Sequence, residues 1–279
     1  MWQVYKHTYC IFVINKETNS DCNMLFISYE ILFIGKTRGF STKKCNFVTT
    51  TKFVCMIEND KNRTIICNSL KGIARLQNQD DIWFMHTDTY SLFILFDGVS
   101  SLKKSIDYIQ YCKYYLDKNY NLYINSEVKL DRLIYDMHLS SLSSSIDGKT
   151  TCSALLLHSN LHKAFIVNVG DSRIYSFSNY FLEPLTVDDN LSGNSRILTK
   201  YIGLEELMLD DITQKEIDIT QNFLICSDGF YSLMEEDIKK YFMIFQYKRN
   251  KNIVNAINRL QTNKNRDDST YIIIRRNGL

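Results

Sequence analysis

The chain has 279 residues, with hydrophobic residues at 45% and charged residues at 23%. These proportions exclude disordered, collagenous and low-complexity classes. The formal net charge is +2, so no global field recruits nucleic acid or an anionic membrane. Aromatics reach 13%, 18 of them Tyr, which is enough ring volume for a sizeable core, and Pro184 is the single proline. The eight cysteines are scattered with no C-x-x-C pair, which predicts reduced thiols and a cytoplasmic protein. No signal peptide and no membrane-spanning stretch is read from the sequence.

In chain order, Tyr9–Ile14 and Met24–Ile34 are apolar, strand-like runs, and a basic stretch follows at Lys36 to Lys44. Strands are then predicted at Phe53–Ile57, Arg63–Cys67 and Ser91–Phe96. Ile106, Ile109, Cys112 and Leu116 share one helical face, and so do Leu130, Leu133, Ile134 and Met137. Further strands are predicted at Ser153–His158, Lys163–Asn168, Arg173–Phe177 and Asn222–Cys226. A helix from about Asn252 to Gln261 carries Ile253, Ala256, Ile257 and Leu260 on one side, and Thr270–Arg275 is the last strand. Strands in blocks, rather than strictly alternating with helices, favour a layered α+β fold.

Two Gly-Lys-Thr triplets, at 148–150 and 35–37, lack the earlier glycine a phosphate-binding loop needs, since Ser143 and Glu30 stand there. The aspartates are more informative. Asp97 and Asp228 each follow a buried-type run and precede Gly98 and Gly229; Asp171 follows Val169-Gly170. Asp80 lies in a polar segment and Asp267 precedes the last strand. A strand ending in Asp-Gly is often only a turn. Several such ends meeting at one sheet margin would instead concentrate negative charge that cations must offset, and all-oxygen donors select Mg²⁺ or Mn²⁺.

The flanking residues resemble the PPM, or type-2C, metal-dependent Ser/Thr protein phosphatases, with the Asn-Gln-Asp variant seen in bacteria. The motifs occur in order: Arg75-x-x-Asn78-Gln79-Asp80, Phe96-Asp97-Gly98, Thr150-Thr151, Val169-Gly170-Asp171-Ser172-Arg173, Leu185-Thr186-x-Asp188, Ser227-Asp228-Gly229 and Arg266-Asp267-Asp268-x-Thr270. They cover about Cys67 to Arg276.

The resemblance implies an α+β fold, a β-sandwich of two antiparallel sheets flanked by helix pairs. It implies two Mg²⁺ or Mn²⁺ ions held by Asp80, Asp97, Asp228 and Asp267 with the Gly98 carbonyl, and Asp171 as the position of a third. Arg75 would hold the substrate phosphate, a role separate from metal binding. Water activated by the two metals would hydrolyse phosphoserine or phosphothreonine in proteins phosphorylated by a Ser/Thr kinase. The family's Asp-Gly-His or Asp-Gly-x-Gly-Gly segment reads Asp97-Gly98-Val99-Ser100-Ser101 here, and Val99 cannot give a proton, so no general acid is assigned there. The alternative is a catalytically silent PPM-like module that binds a signalling partner. Residues 1–60 form an N-terminal extension and 61–279 the PPM-like domain, expected to act as a monomer without nucleic acid or membrane.

Overall fold

The computed structural model describes residues 8–10, 28–30, 54–59, 63–124, 127–192 and 194–277. A short antiparallel pair, β1 (Thr8–Cys10) and β2 (Ser28–Glu30), overlaps the two apolar N-terminal runs. The rest of those runs and the basic stretch lie outside the described residues.

Strands β3 (Val54–Asn59), β4 (Arg63–Leu70), β5 (Asp80–His86) and β6 (Tyr90–Asp97) come first, followed by helices α1 (Ser105–Asn119) and α2 (Leu130–Leu142). Then come β7 (Cys152–His158), β8 (Lys163–Val169), β9 (Arg173–Phe177), β10 (Leu182–Pro184), and the short pair β11 (Asn190–Leu191) and β12 (Asn194–Leu198). The chain continues with β13 (Lys215–Asp218), β14 (Asn222–Cys226), α3 (Asp228–Glu236), α4 (Ile238–Phe245), α5 (Asn250–Gln261) and β15 (Ser269–Arg276).

Two antiparallel sheets form, one in the order β13-β8-β7-β6-β5 and the other in the order β10-β9-β14-β15-β4-β3. Period-2 alternation sends successive residues of each central strand to opposite faces. Phe93 and Leu95 of β6 meet Ile225, Ile272 and Ile274 between the sheets. Leu92, Ile94 and Phe96 point the other way, onto Ile109, Cys112 and Leu116 of α1 and Leu133, Ile134 and Met137 of α2. On the far side Leu224, Cys226, Tyr271 and Ile273 pack under Phe230, Tyr241, Phe245, Ile253 and Ile257 of α3–α5. The core is therefore three apolar layers between four structural layers. Burying each such aliphatic side chain contributes about 1.5–3 kcal/mol. The expected α+β sandwich with flanking helices is present.

Each of the eight main predicted strands is present, with ends within two residues of those read except for β4, which runs three residues past Cys67 to Leu70. Sequence reading missed β5, β13, α3 and α4, and the two-to-five-residue strands β10 to β12. No described helix is long and apolar enough to cross a membrane. Among the described residues, both large sheets and the five α-helices are built from residue 54 onward. A chain beginning at Thr51 is accordingly expected to stay soluble and, if the site proposed below is catalytic, to keep its rate on aryl phosphates. Insolubility of that truncated chain would show that earlier residues complete the sandwich.

Candidate metal centre

Two sheet margins bring the aspartates together. In one sheet, Asp80 opens β5 and Asp97 closes β6, and the two are directly paired across the ladder. In the other, Asp228 follows β14 and begins α3, while Asp267 stands two residues before β15. Asp171 lies between β8 and β9. They lie near enough to repel one another: after burial, the charges of Asp80, Asp228, Asp171 and Asp267 all help to hold Asp97 above the ordinary carboxylate range.

The local chain is sewn tightly around these groups. The Asn78 side chain accepts from the Asp80 N–H at 3.0 Å and donates to Ser69 Oγ at 2.7 Å. Gln79 Nε2 donates to the Leu102 carbonyl at 2.9 Å, which fixes the turn after β6. Thr151 Oγ1 accepts from the Asp97 N–H at 3.2 Å, and Thr150 Oγ1 donates to the Asp97 carbonyl at 2.9 Å. The Thr150-Thr151 motif therefore holds the backbone of a site carboxylate. Asp268, which follows Asp267 in the last motif, is buried and accepts from the N–H of Gly72 and of Gln79, both at 2.8 Å. It joins the Arg75 loop and β5 to the β15 segment.

The Asp-Gly pairs serve packing of chain on chain. A Cβ at residue 98 would stand 2.6 Å from the Gln79 carbonyl oxygen, and one at residue 229 would stand 2.1 Å from that of Asp268. Without a side chain, each glycine lets its backbone approach a neighbouring chain segment closely.

Burial and mutual repulsion set the electrostatics. Burial foremost, then Asp268, holds Asp80 well above the ordinary carboxylate range. Asp97 is raised in the same way by burial and by its neighbouring aspartates. Burial and Asp267 raise Asp228, although the neighbouring Asp97 carboxyl and the Gly229 N–H oppose this. Asp171 is pushed up to about 7 by burial, Asp228 and Asp188. Arg75 lies against the cluster: its Nε donates to Asp267 Oδ1 at 2.6 Å and its Nη2 to Asp267 Oδ2.

The donor set fits a hard dication. Asp80 Oδ2 is buried with no hydrogen-bond partner. An acceptor left so is costly unless something positive meets it. The candidate donors, the aspartate carboxylates and the Gly98 carbonyl, are oxygens of the kind that suits Mg²⁺ or Mn²⁺. Among the described residues no three His, Cys, Asp or Glu side chains already converge as a ready cage. Asp267 is turned onto Arg75, and Asp97 lies beside Asp228. The sequence reading kept Arg75 apart from the expected metal ligands; the structure joins it to Asp267, one of those expected. A cavity of about 600 Å³, lined in part by Tyr108, Ser141, Lys149, Tyr201 and Glu205, includes none of these aspartates.

Arg173 and Asp188 form a separate girdle. Arg173 binds Asp188 through two hydrogen bonds of 2.8 Å, reaches Glu235, and lies 3.7 Å over the Tyr231 ring. Asp189 accepts from the Gly170 N–H at 3.0 Å, beside Asp171.

No family model matches the sequence, and no curated protein does either. Solved structures do match. A bacterial serine phosphatase superposes with a TM-score of 0.67 at 18% identity, over 77% of this chain and 98% of its own. Stp1, a serine/threonine phosphatase from Staphylococcus aureus, gives 0.63 at 18% identity, over 82% and 98%. RsbX, solved in complex with magnesium, gives 0.60 at 13% identity, over 80% and 100%. The chain has the PPM phosphatase fold. The catalytic domain of the PstP phosphatase, solved in complex with two manganese ions, shares this PPM fold with a TM-score of 0.62 at 16% identity, over 77% of this chain and 98% of its own.

Proposed function

We propose that this PPM-fold chain is a metal-dependent phosphatase for phosphoserine and phosphothreonine in proteins. The observation that carries this reading is the gathering of Asp80, Asp97, Asp171, Asp228 and Asp267 at the margins of both sheets, with Asp80 Oδ2 buried and unpartnered. The PPM fold and the Mg²⁺ and Mn²⁺ complexes of similar structures support it.

Asp80, Asp97, Asp228 and Asp267, with the Gly98 carbonyl, would hold two Mg²⁺ or Mn²⁺ ions, and Asp171 a third. Bound there, such ions supply a water acidified to near neutral pKa and polarise the phosphoryl oxygens. The chain's own part is orientation. Thr150 and Thr151 fix the Asp97 backbone, Asp268 fixes the Arg75 loop, and the Arg75 fork suits two phosphate oxygens at once. Residues 61–279 would form this domain and 1–60 an extension to it, whose β3 (Val54–Asn59) adds an edge strand to the larger sheet. The silent-module reading draws on one observation, the engagement of Asp267 by Arg75.

Turnover of an aryl phosphate separates the two. Hydrolysis is expected with millimolar Mn²⁺ and is expected to vanish after exhaustive chelation. Full activity without metal, or none with it, would overturn the proposal.

Metal removal should also mark stability. A carboxyl whose folded pKa is raised binds its proton more tightly when folded, so its contribution is complete below the unfolded value and fades as pH rises through the folded one. For Asp171 that window runs from 3.8 to about 7. The chelated chain is therefore expected to melt at a lower temperature at pH 8 than at pH 5.5, and Mn²⁺ to restore much of the loss at pH 8. A melting temperature at pH 8 indifferent to Mn²⁺ would count against a cation site.

A further inference from the structure

The Arg75–Asp267 pair is more than a surface contact. Both Asp267 oxygens are engaged: Oδ1 accepts from Arg75 Nε at 2.6 Å and from the Asp268 N–H at 2.8 Å, and Oδ2 accepts from Arg75 Nη2. The two segments carrying the pair are stitched together. Ile73 N–H donates to the Asn265 carbonyl at 3.0 Å and Ala74 N–H to the Arg266 carbonyl at 3.1 Å. On the other side of the loop, Lys71 Nζ donates to the Arg75 carbonyl at 2.6 Å and Arg75 N–H to the Gly72 carbonyl at 3.1 Å. A Cβ at residue 72 would stand 2.5 Å from the Arg266 carbonyl oxygen, so the loops cannot approach this closely with a larger residue there. The fork thus meets its carboxylate on a fixed backbone, with little side-chain ordering left to oppose the pair.

We infer that Arg75 is a built-in counter-ion that locks Asp267 until a dication displaces it, so that metal loading frees the same guanidinium for the substrate phosphate. This rests on the phosphatase reading, and it gives one residue two successive partners. The pair and the cation compete for the same two oxygens, so removing the fork must strengthen cation binding. The reciprocal also holds: cation binding must weaken the fork's hold, because linkage between two binding events is symmetric. The coupling sets an order, metal before phosphate. An exposed phosphate-binding Arg with no carboxylate partner would show no such order.

The test is calorimetric titration of Mn²⁺ into the full chain, for the parent, Arg75→Gln and Arg75→Lys. A charge-assisted pair is strong, but this one is about one third exposed on each side, so the discounted expectation is a roughly tenfold gain in Mn²⁺ affinity for Arg75→Gln. Arg75→Lys keeps the charge and loses the two-pronged geometry, and is expected to fall between the two. Gln binding no tighter than the parent, or Lys matching the parent, would overturn the lock.

A second readout uses the parent alone, which covers the case in which a variant fails to fold. The Arg75 Nε–H signal in nitrogen-resolved NMR is expected to be protected from exchange without metal and to lose that protection as Mg²⁺ is added. Unchanged protection at saturating Mg²⁺ would also overturn the lock. If the parent binds neither Mn²⁺ nor Mg²⁺ at millimolar concentration, the phosphatase reading itself falls and takes the lock with it. If it binds them and only the Arg75 results fail, the phosphatase reading survives.

Discussion

Asp228→Asn is expected to lower kcat on an aryl phosphate by more than about 100-fold, the upper range for losing an outer partner of a metal ligand. Mn²⁺ affinity is expected to fall with it. The substitution is nearly isosteric and leaves the first turn of α3 intact, so the fold has no reason to fail. It removes one negative charge from a buried group that already repels Asp267 and is raised by burial. The metal-free variant should therefore melt at the same temperature as the parent or slightly above it. That pairing of results, a lost activity with an unharmed fold, separates a ligand from a structural carboxylate. Asp97→Asn should behave alike, since its raised state has the same causes. Normal turnover and parental Mn²⁺ affinity in Asp228→Asn would show that the site has been misassigned.

Much of this site could be read in the sequence because its walls are made of strands buried on both faces. Leu92 to Phe96 and Phe223 to Cys226 are unbroken apolar runs, and each ends on its aspartate within two residues. The helix α3 was hidden by the same residues that revealed the carboxylate. Asp228-Gly229 carries a turn signal, yet Ser227 is extended and Asp228 opens a helix whose buried face is Phe230, Tyr231 and Met234. β5 was missed because Ile82-Trp83-Phe84-Met85 is short and follows two acids, so neither period stands out; in the sandwich Trp83 faces α1 while Ile82 and Phe84 face the other sheet. The partner of Arg75 had no local signature at all. Its carboxylate is 192 residues away, and only the pairing of β15 with β4 brings the two loops together. The role of Asp268 was illegible for the same reason, since its two donors, Gly72 and Gln79, lie on the far side of the chain.

Gly229→Ala is expected to damage both the fold and the site, through a single added methyl group. Its Cβ would stand 2.1 Å from the Asp268 carbonyl oxygen and 3.2 Å from the Asp267 Cβ. No flexible side chain can absorb the first of these contacts, because the obstacle is backbone that enters β15. Either α3 lifts away from the sheet or residues 267–268 are pushed outward. Overpacking of this kind costs about 1–3 kcal/mol and occasionally more, and rigid backbone on one side puts this case at the upper end. For a domain of this size that is roughly a 6–12 °C fall in melting temperature. The displacement also reaches Asp267, so Mn²⁺ affinity should fall by a larger factor than the stability loss alone would produce. Ser232→Ala is the matched control: it lies on the exposed side of the same helix, where its hydroxyl only bonds back to the Asp228 carbonyl at 2.7 Å. It should change stability by less than about 0.5 kcal/mol and leave Mn²⁺ binding alone. If Gly229→Ala melts with the parent and binds Mn²⁺ as well, the close approach of α3 to the 267–268 segment does not hold, and the placement of Asp228 beside Asp267 fails with it.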